Sequence, residues 1–91
     1  MYLEIVTPEA KIFSGEVNSV SVPGLSGYFQ ILNNHAPIVS SLKKGNITIE
    51  GDFEISNEFK NKFEKVDGKT ILKIESGTIE MINNKVILLS D

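Results

Sequence analysis

Gly77-Thr78-Ile79-Glu80-Met81-Ile82-Asn83-Asn84-Lys85-Val86-Ile87-Leu88-Leu89 is the stretch from which the fold can be read. Ile79 and Met81 alternate with Thr78 and Glu80, and Val86 and Leu88 share one side of the run that follows. That period of two places them on one face of a strand rather than along a helical stripe. Asn83-Asn84 separates the two runs, and Asn tolerates the positive φ that a two-residue hairpin needs. The second arm is apolar on both sides, Val86 and Leu88 on one and Ile87 and Leu89 on the other. Such a strand belongs inside a sheet or beneath a partner.

The same alternation recurs toward the N-terminus at Leu3 and Ile5, Val20 and Val22, Phe29 and Ile31, Ile47 and Ile49, and Leu72 and Ile74. Twelve Ile and seven Val supply β-branched side chains throughout, and these suit strands. Turn signals separate the runs: Ser14-Gly15, Pro23-Gly24, Ser26-Gly27, Lys44-Gly45, Asp67-Gly68 and Ser76-Gly77. Each is short enough to reverse the chain as a hairpin. The expectation is a single all-β domain over residues 1–91, a sandwich of short strands ending in a meander.

Residues 52–69 read in two ways. Phe59, Phe63 and Val66 stand at i, i+4 and i+7, which suits a short helix capped by Ser56 or Asn57. Asp67-Gly68 between Phe63-Glu64-Lys65-Val66 and Thr70-Ile71-Leu72 is a hairpin signal. The hairpin is preferred, with the helix as the alternative.

Composition narrows the function. Hydrophobic residues make up 41% and charged residues 23%, a globular balance. The formal charge is −3 and the cations gather on no one segment, so nucleic acid is not an expected partner. With no Cys there is no disulfide framework and no thiolate metal site, which fits a reducing compartment. The longest apolar run, Val86 to Leu89, is far short of the roughly 20 residues of a membrane-spanning helix. Direct membrane insertion is therefore not expected. Nor does Met1-Tyr2-Leu3-Glu4-Ile5-Val6 have the basic and apolar regions of a secretory signal.

Catalysis finds little footing. The single imidazole, His35, would have to recruit one of several Ser residues and Asp52, Asp67 or Asp91, and no spacing marks a set out. The plain reading of His35 is a loop residue bonded to nearby backbone. One His without Cys makes no zinc tetrad, and no segment alternates the oxygens of a calcium loop. Pro23-Gly24-Leu25-Ser26-Gly27 lacks the Lys and helix of a phosphate cradle. Glu50, Glu75 and Glu80 fall on outward strand positions as a solvated face. No metal and no cofactor is expected, and by subtraction the chain is a binding or structural module.

A longer pattern names the kind of module. Ile5-Val6-Thr7-Pro8-Glu9, Phe13-Ser14-Gly15-Glu16-Val17, Val20-x-Val22-Pro23-Gly24-x-x-Gly27-x-Phe29-x-Ile31-Leu32-Asn33-Asn34-His35-Ala36-Pro37-Ile38 and Leu42-Lys43-Lys44-Gly45-x-Ile47 follow in that order. Together they resemble the start of the ATP synthase epsilon subunit. Glu75-Ser76-Gly77-Thr78-Ile79-Glu80-Met81 and Asn84-Lys85-Val86-Ile87-Leu88 are similar to its closing strands. The resemblance implies a flattened β-sandwich of about ten short strands, with the inserted hairpin or short helix around residues 52–69. That insertion is longer by about a dozen residues than the family's usual connection, as a surface-loop insertion would be.

The implied function is mechanical rather than enzymatic: a central-stalk rotor subunit of the proton-translocating F-type ATP synthase. It would bind the gamma subunit and the c-ring, and reach the alpha/beta catalytic hexamer indirectly. The implied place is the peripheral, cytoplasmic face of the bacterial inner membrane. The loop from Leu25 to His35 matches the ring-facing segment, with Tyr28, Asn33, Asn34 and His35 as contacts. Thr7, His35 and Ser40 match positions near gamma. The bland readings are an exposed strand aromatic for Tyr28 and turn formers for Asn33 and Asn34. The family's C-terminal helical hairpin does not follow the closing strand within these 91 residues, so the expectation is coupling without a helical brake and without ATP binding. The rivals are a free-standing β-sandwich ligand-binding module and a small hydrolase using His35.

Overall fold

The computed structural model describes residues 1–91, the whole sequence. Ten strands run in chain order: β1 (Tyr2–Val6), β2 (Lys11–Glu16), β3 (Ser19–Gly24), β4 (Gly27–Leu32), β5 (Ile38–Leu42), β6 (Gly45–Glu50), β7 (Phe63–Val66), β8 (Lys69–Ile74), β9 (Gly77–Ile82) and β10 (Lys85–Ser90). A short 3-10 helix, Asn57–Lys62, precedes β7. The all-β expectation holds, as does the strand number.

Hydrogen bonding orders the strands β2-β1-β10-β9-β5-β3-β6-β8-β7, with β4 paired to β3 off that path. The link between β5 and β3 is the single pair Gly24 and Leu42. There the sheet folds into two layers, β2-β1-β10-β9-β5 and β4-β3-β6-β8-β7. β1 and β10 pair in parallel, Leu3 beside Val86 and Ile5 beside Leu88, so β10 has a partner on each side. Between the layers lie 18 buried apolar residues, among them Leu3, Ile5, Val20, Val22, Ile31, Ile47, Ile49, Ile79, Val86 and Leu88 at 0% exposure. These are the residues that the period of two selected.

Both preferred hairpins form. Asn83 and Asn84 have φ of 52° and 60°, and Asp67 and Gly68 have 51° and 79°; two successive positive φ values match the right-handed twist of the joined strands. The helical alternative is also present, in part. Phe59 lies in the 3-10 turn and Phe63 opens β7, so the two readings occupy adjacent segments. No side chain caps the turn; its first bond runs from the Phe59 amide to the Ser56 carbonyl at 2.9 Å. The segment is not a free loop: Phe53, Ile55, Phe59 and Phe63 pack against the core. Phe13 on edge strand β2 meets Phe53 at 5.1 Å and Phe63 at 6.5 Å between ring centroids, so both edges of the path approach one another around Phe13.

Candidate partner-binding surfaces

Of the residues singled out by sequence, Thr7, Tyr28, Asn33, Asn34 and His35 fall at the two ends of the sandwich and Ser40 at the centre of β5. Thr7 closes the β1–β2 turn. Its amide donates to the Ala10 carbonyl at 2.8 Å and its Oγ1 accepts from the Ala10 amide at 3.3 Å, a hydroxyl doing turn work. From the pairing, Val6 aligns with Leu89 and Leu89 with Thr78, which puts Thr7 at the end of the sheet where β9 begins. Tyr28 lies at this end too, opposite Pro23. Its phenol oxygen accepts the Asn46 amide at 2.9 Å, yet the residue is 59% exposed.

Asn33, Asn34 and His35 occupy the opposite end. The His35 amide donates to the Leu32 carbonyl at 3.1 Å, closing a β-turn in which Asn34 has φ of 63°. The His35 Nδ1 lies 2.7 Å from the Ala36 carbonyl, and since a carbonyl only accepts, Nδ1 carries the proton in that bond. The ring bonds local backbone and meets no Ser hydroxyl or carboxylate. Asn84 anchors this turn from the β9–β10 hairpin: its Oδ1 accepts the Asn34 amide at 2.7 Å and its Nδ2 donates to Asn33 Oδ1 at 2.8 Å. The Met1 nitrogen donates to the same Asn33 oxygen at 3.0 Å.

One strand joins the two ends. The segment Leu25 to His35 is mostly strand, since Gly27–Leu32 forms β4. β4 has one neighbour, β3. Alternation turns Phe29 and Ile31 inward and leaves Tyr28, Gln30 and Leu32 exposed. These three form a ridge running from Tyr28 into the Asn33–His35 turn. Gln30 and Leu32 were not singled out by sequence reasoning; the outward partners of Phe29 and Ile31 would have identified them.

A second surface covers the outside of the other layer. Ile87 lies between Glu4 and Glu80, and Glu80 beside Val39; Leu89 lies between Val6 and Thr78. Val39 is 75% exposed, and Ile82 and Leu89 are exposed as well. Two carboxylates stand on this face, the exposed Glu80 and the paired Glu4. Lys85 at 3.1 Å and Lys11 at 3.3 Å hold the Glu4 carboxyl below the ordinary carboxylate value, chiefly through the hydrogen bond from Lys85. Ser40 belongs to the inward row of β5, beside Ile79, with its Oγ bonded to the Ser41 carbonyl at 3.1 Å. It is half-buried next to Val39 rather than displayed on the face.

An open groove bounded by Phe53, Ile55 and Phe63, with Lys60 and Lys65 at its rim, is the largest concavity. No group of three or more His, Asp or Glu side chains gathers as metal ligands. What the geometry offers is two extended surfaces, a polar-aromatic ridge and a face on which apolar side chains alternate with charged ones.

The whole sequence, residues 1–91, matches the family described as ATP synthase, Delta/Epsilon chain, beta-sandwich domain. The chain is 40% identical over 89 residues to the ATP synthase epsilon chain of Chlorobium limicola, covering 98% of this chain and 86% of that one. It is 40% identical over 91 residues to the ATP synthase epsilon chain of Campylobacter curvus, covering 100% of this chain but 60% of that relative. In fold it is similar to a chain of the Tetrahymena thermophila mitochondrial ATP synthase central stalk and c-ring structure. The TM-score is 0.74 at 14% identity, over 98% of this chain and 61% of that one. A chain of the Euglena gracilis mitochondrial ATP synthase OSCP/F1/c-ring structure matches with the same TM-score at 18% identity, over 97% of this chain and 48% of that one.

Proposed function

The chain belongs to the ATP synthase delta/epsilon β-sandwich family, and from that premise we propose that it is a non-catalytic rotor part of an F-type ATP synthase, gripping gamma with one surface and the c-ring with another. The observation that carries this reading is strand β10. Its inward side chains Val86 and Leu88 fill the core, while Ile87 and Leu89 put apolar side chains on an outer face that carries Val6, Val39 and Ile82 interspersed with Glu4 and Glu80. A solvated antiparallel layer alternates apolar and polar, so apolar residues on both sides suit a layer covered by a partner. Gamma is the partner assigned to that face, with Thr7 at its end and Ser40 half-buried behind it on the inward row of β5.

The ridge of Tyr28, Gln30 and Leu32, continued by Asn33, Asn34 and His35, is assigned to the polar loops of the c-ring. Coupling needs a stiff body between the two, because a joint that deforms dissipates torque. Ten strands closed around one packed core supply that stiffness. The subunit touches the alpha/beta hexamer only through gamma. It is peripheral to the membrane at its cytoplasmic face, and no helix is long and apolar enough to cross a bilayer.

The test is affinity purification of the native assembly through a tag on this chain, with and without Val39→Lys and Leu89→Lys. Both positions are exposed, so each variant should fold while the pair releases gamma, alpha and beta. Recovery of the chain without gamma from wild-type cells, or undiminished gamma recovery by the double variant, would overturn the reading.

A further inference from the structure

We infer that Asn84 is a positioning residue for the c-ring surface, holding the Asn33–His35 turn in the orientation in which it meets the ring. The inference deepens the functional reading above and rests on it. Asn84 is one of the two residues of the β9–β10 turn, in the opposite layer from β4. Its Oδ1 can only accept, so the 2.7 Å bond from the Asn34 amide fixes the rotation of the side-chain amide. Nδ2 is thereby aimed at Asn33 Oδ1, 2.8 Å away and 51 residues distant in sequence. Both halves of one side chain clasp successive residues of the turn.

Without the clasp this end of the ridge keeps one side-chain tie to the sandwich, from the Met1 nitrogen to Asn33 Oδ1 at 3.0 Å, and that tie does not reach Asn34 or His35. Asn33, Asn34 and His35 are exposed, and Pro37 separates them from β5. The local bond from His35 to Leu32 shapes the turn but does not orient it against the sandwich. Asn84 does, because it stands on a hairpin whose strands are both internal to the sheet. Its own backbone has φ of 60°, the conformation that the second position of a two-residue hairpin requires of any residue there. Asn84→Gly therefore removes the clasp while keeping the turn, since Gly takes a positive φ freely. Asn84→Asp keeps the acceptor for the Asn34 amide but replaces the donor to Asn33 Oδ1 with a second acceptor.

The experiment measures three quantities on the full chain: hydrogen exchange of the Asn34 amide, affinity for the detergent-solubilised c-ring, and affinity for gamma. Asn84→Gly is expected to retain the wild-type melting temperature, to lose protection at Asn34, and to bind the c-ring about fivefold or more weakly, as loss of a hydrogen-bonded anchor implies. Its affinity for gamma should not change, which separates positioning from general destabilisation. Asn84→Asp should restore protection at Asn34 and give a ring affinity between those of Asn84→Gly and the wild type, because it keeps one of the two bonds. Wild-type ring affinity in an Asn84→Gly chain with an unprotected Asn34 amide would overturn the positioning role. So would equal losses of ring and gamma affinity in both variants. Failure of the wild-type chain to bind the c-ring overturns instead the functional reading on which the role rests, and the exchange measurement still reports on the clasp.

Discussion

The rings of Phe13 and Phe53 meet edge-on, 5.1 Å apart between centroids and inclined by 74°. Phe13 lies on β2, at one end of the strand path, and Phe53 on the segment leading to β7, at the other. Edge-to-face pairs contribute about 0.5 to 1.5 kcal/mol beyond the area they bury. Replacing each by Leu, singly and together, should reveal a coupling of that size in a double-mutant cycle read by urea unfolding. Strict additivity would show that the two edges are not joined through these rings.

The segment between Phe53 and β8 has more structural weight than its length as an insertion suggests. Ile55, Phe59 and Phe63 are half-buried against the core. Replacing residues 54–66 by a tight turn should cost about 2 to 4 kcal/mol through lost apolar burial, far more than the loop-closure entropy alone. Recovery of gamma and the c-ring should be unaffected, because neither the ridge nor the outer face includes these residues. A shortened chain that folds but no longer captures gamma would place the insertion in the interface.

Thr70 is 1% exposed in β8, between Ile49 and Lys65, and its Oγ1 has no hydrogen-bond partner. A buried hydroxyl without a partner costs more than the isosteric methyl that would replace it. Thr70→Val is expected to stabilise the fold by about 1 kcal/mol, raising the denaturation midpoint. A lower midpoint would mean that the hydroxyl is satisfied in solution.

Acid should weaken the outer layer through Glu4. Its folded-state pKa is depressed, first by Lys85 and then by Lys11. Between that value and the unfolded pKa the unfolded chain binds more protons, so this contribution is complete above the unfolded value, about 4.3 for a Glu. It is lost as pH falls through the folded pKa. The difference in urea midpoint between wild type and Glu4→Gln should therefore be constant near neutral pH and shrink on acidification below about pH 4. A gap that widens in acid would contradict the assignment.

Gly27 closes the β3–β4 turn at φ 131°, and a Cβ there would meet nothing within 4 Å. The cost of Gly27→Val is thus backbone conformation without steric collision, about 1 to 3 kcal/mol. A thermal melt checks it. An unchanged melting temperature would show that the turn relaxes to negative φ.

What the sequence determined by itself was local. Alternation with a period of two marked β1, β3, β4, β6, β8, β9 and β10, and Asn83-Asn84 and Asp67-Gly68 announced their hairpins, because each depends on backbone preferences within a few residues. Strands β2 and β5 escaped that test. β2 places Ile12 and Phe13 side by side next to a register shift at Ile5 and Val6, and β5 carries Ser40 and Ser41 at its centre. Only the tertiary structure decided that β1 lies parallel to β10, that β4 is left with one neighbour, and that Thr7 and His35 stand at opposite ends of the sandwich. The same holds for the clasp between Asn33 and Asn84. Such relationships arise when a chain buries its apolar faces against residues far away in sequence, and pairing of that kind is selected by the energy of the whole core rather than by any segment of it.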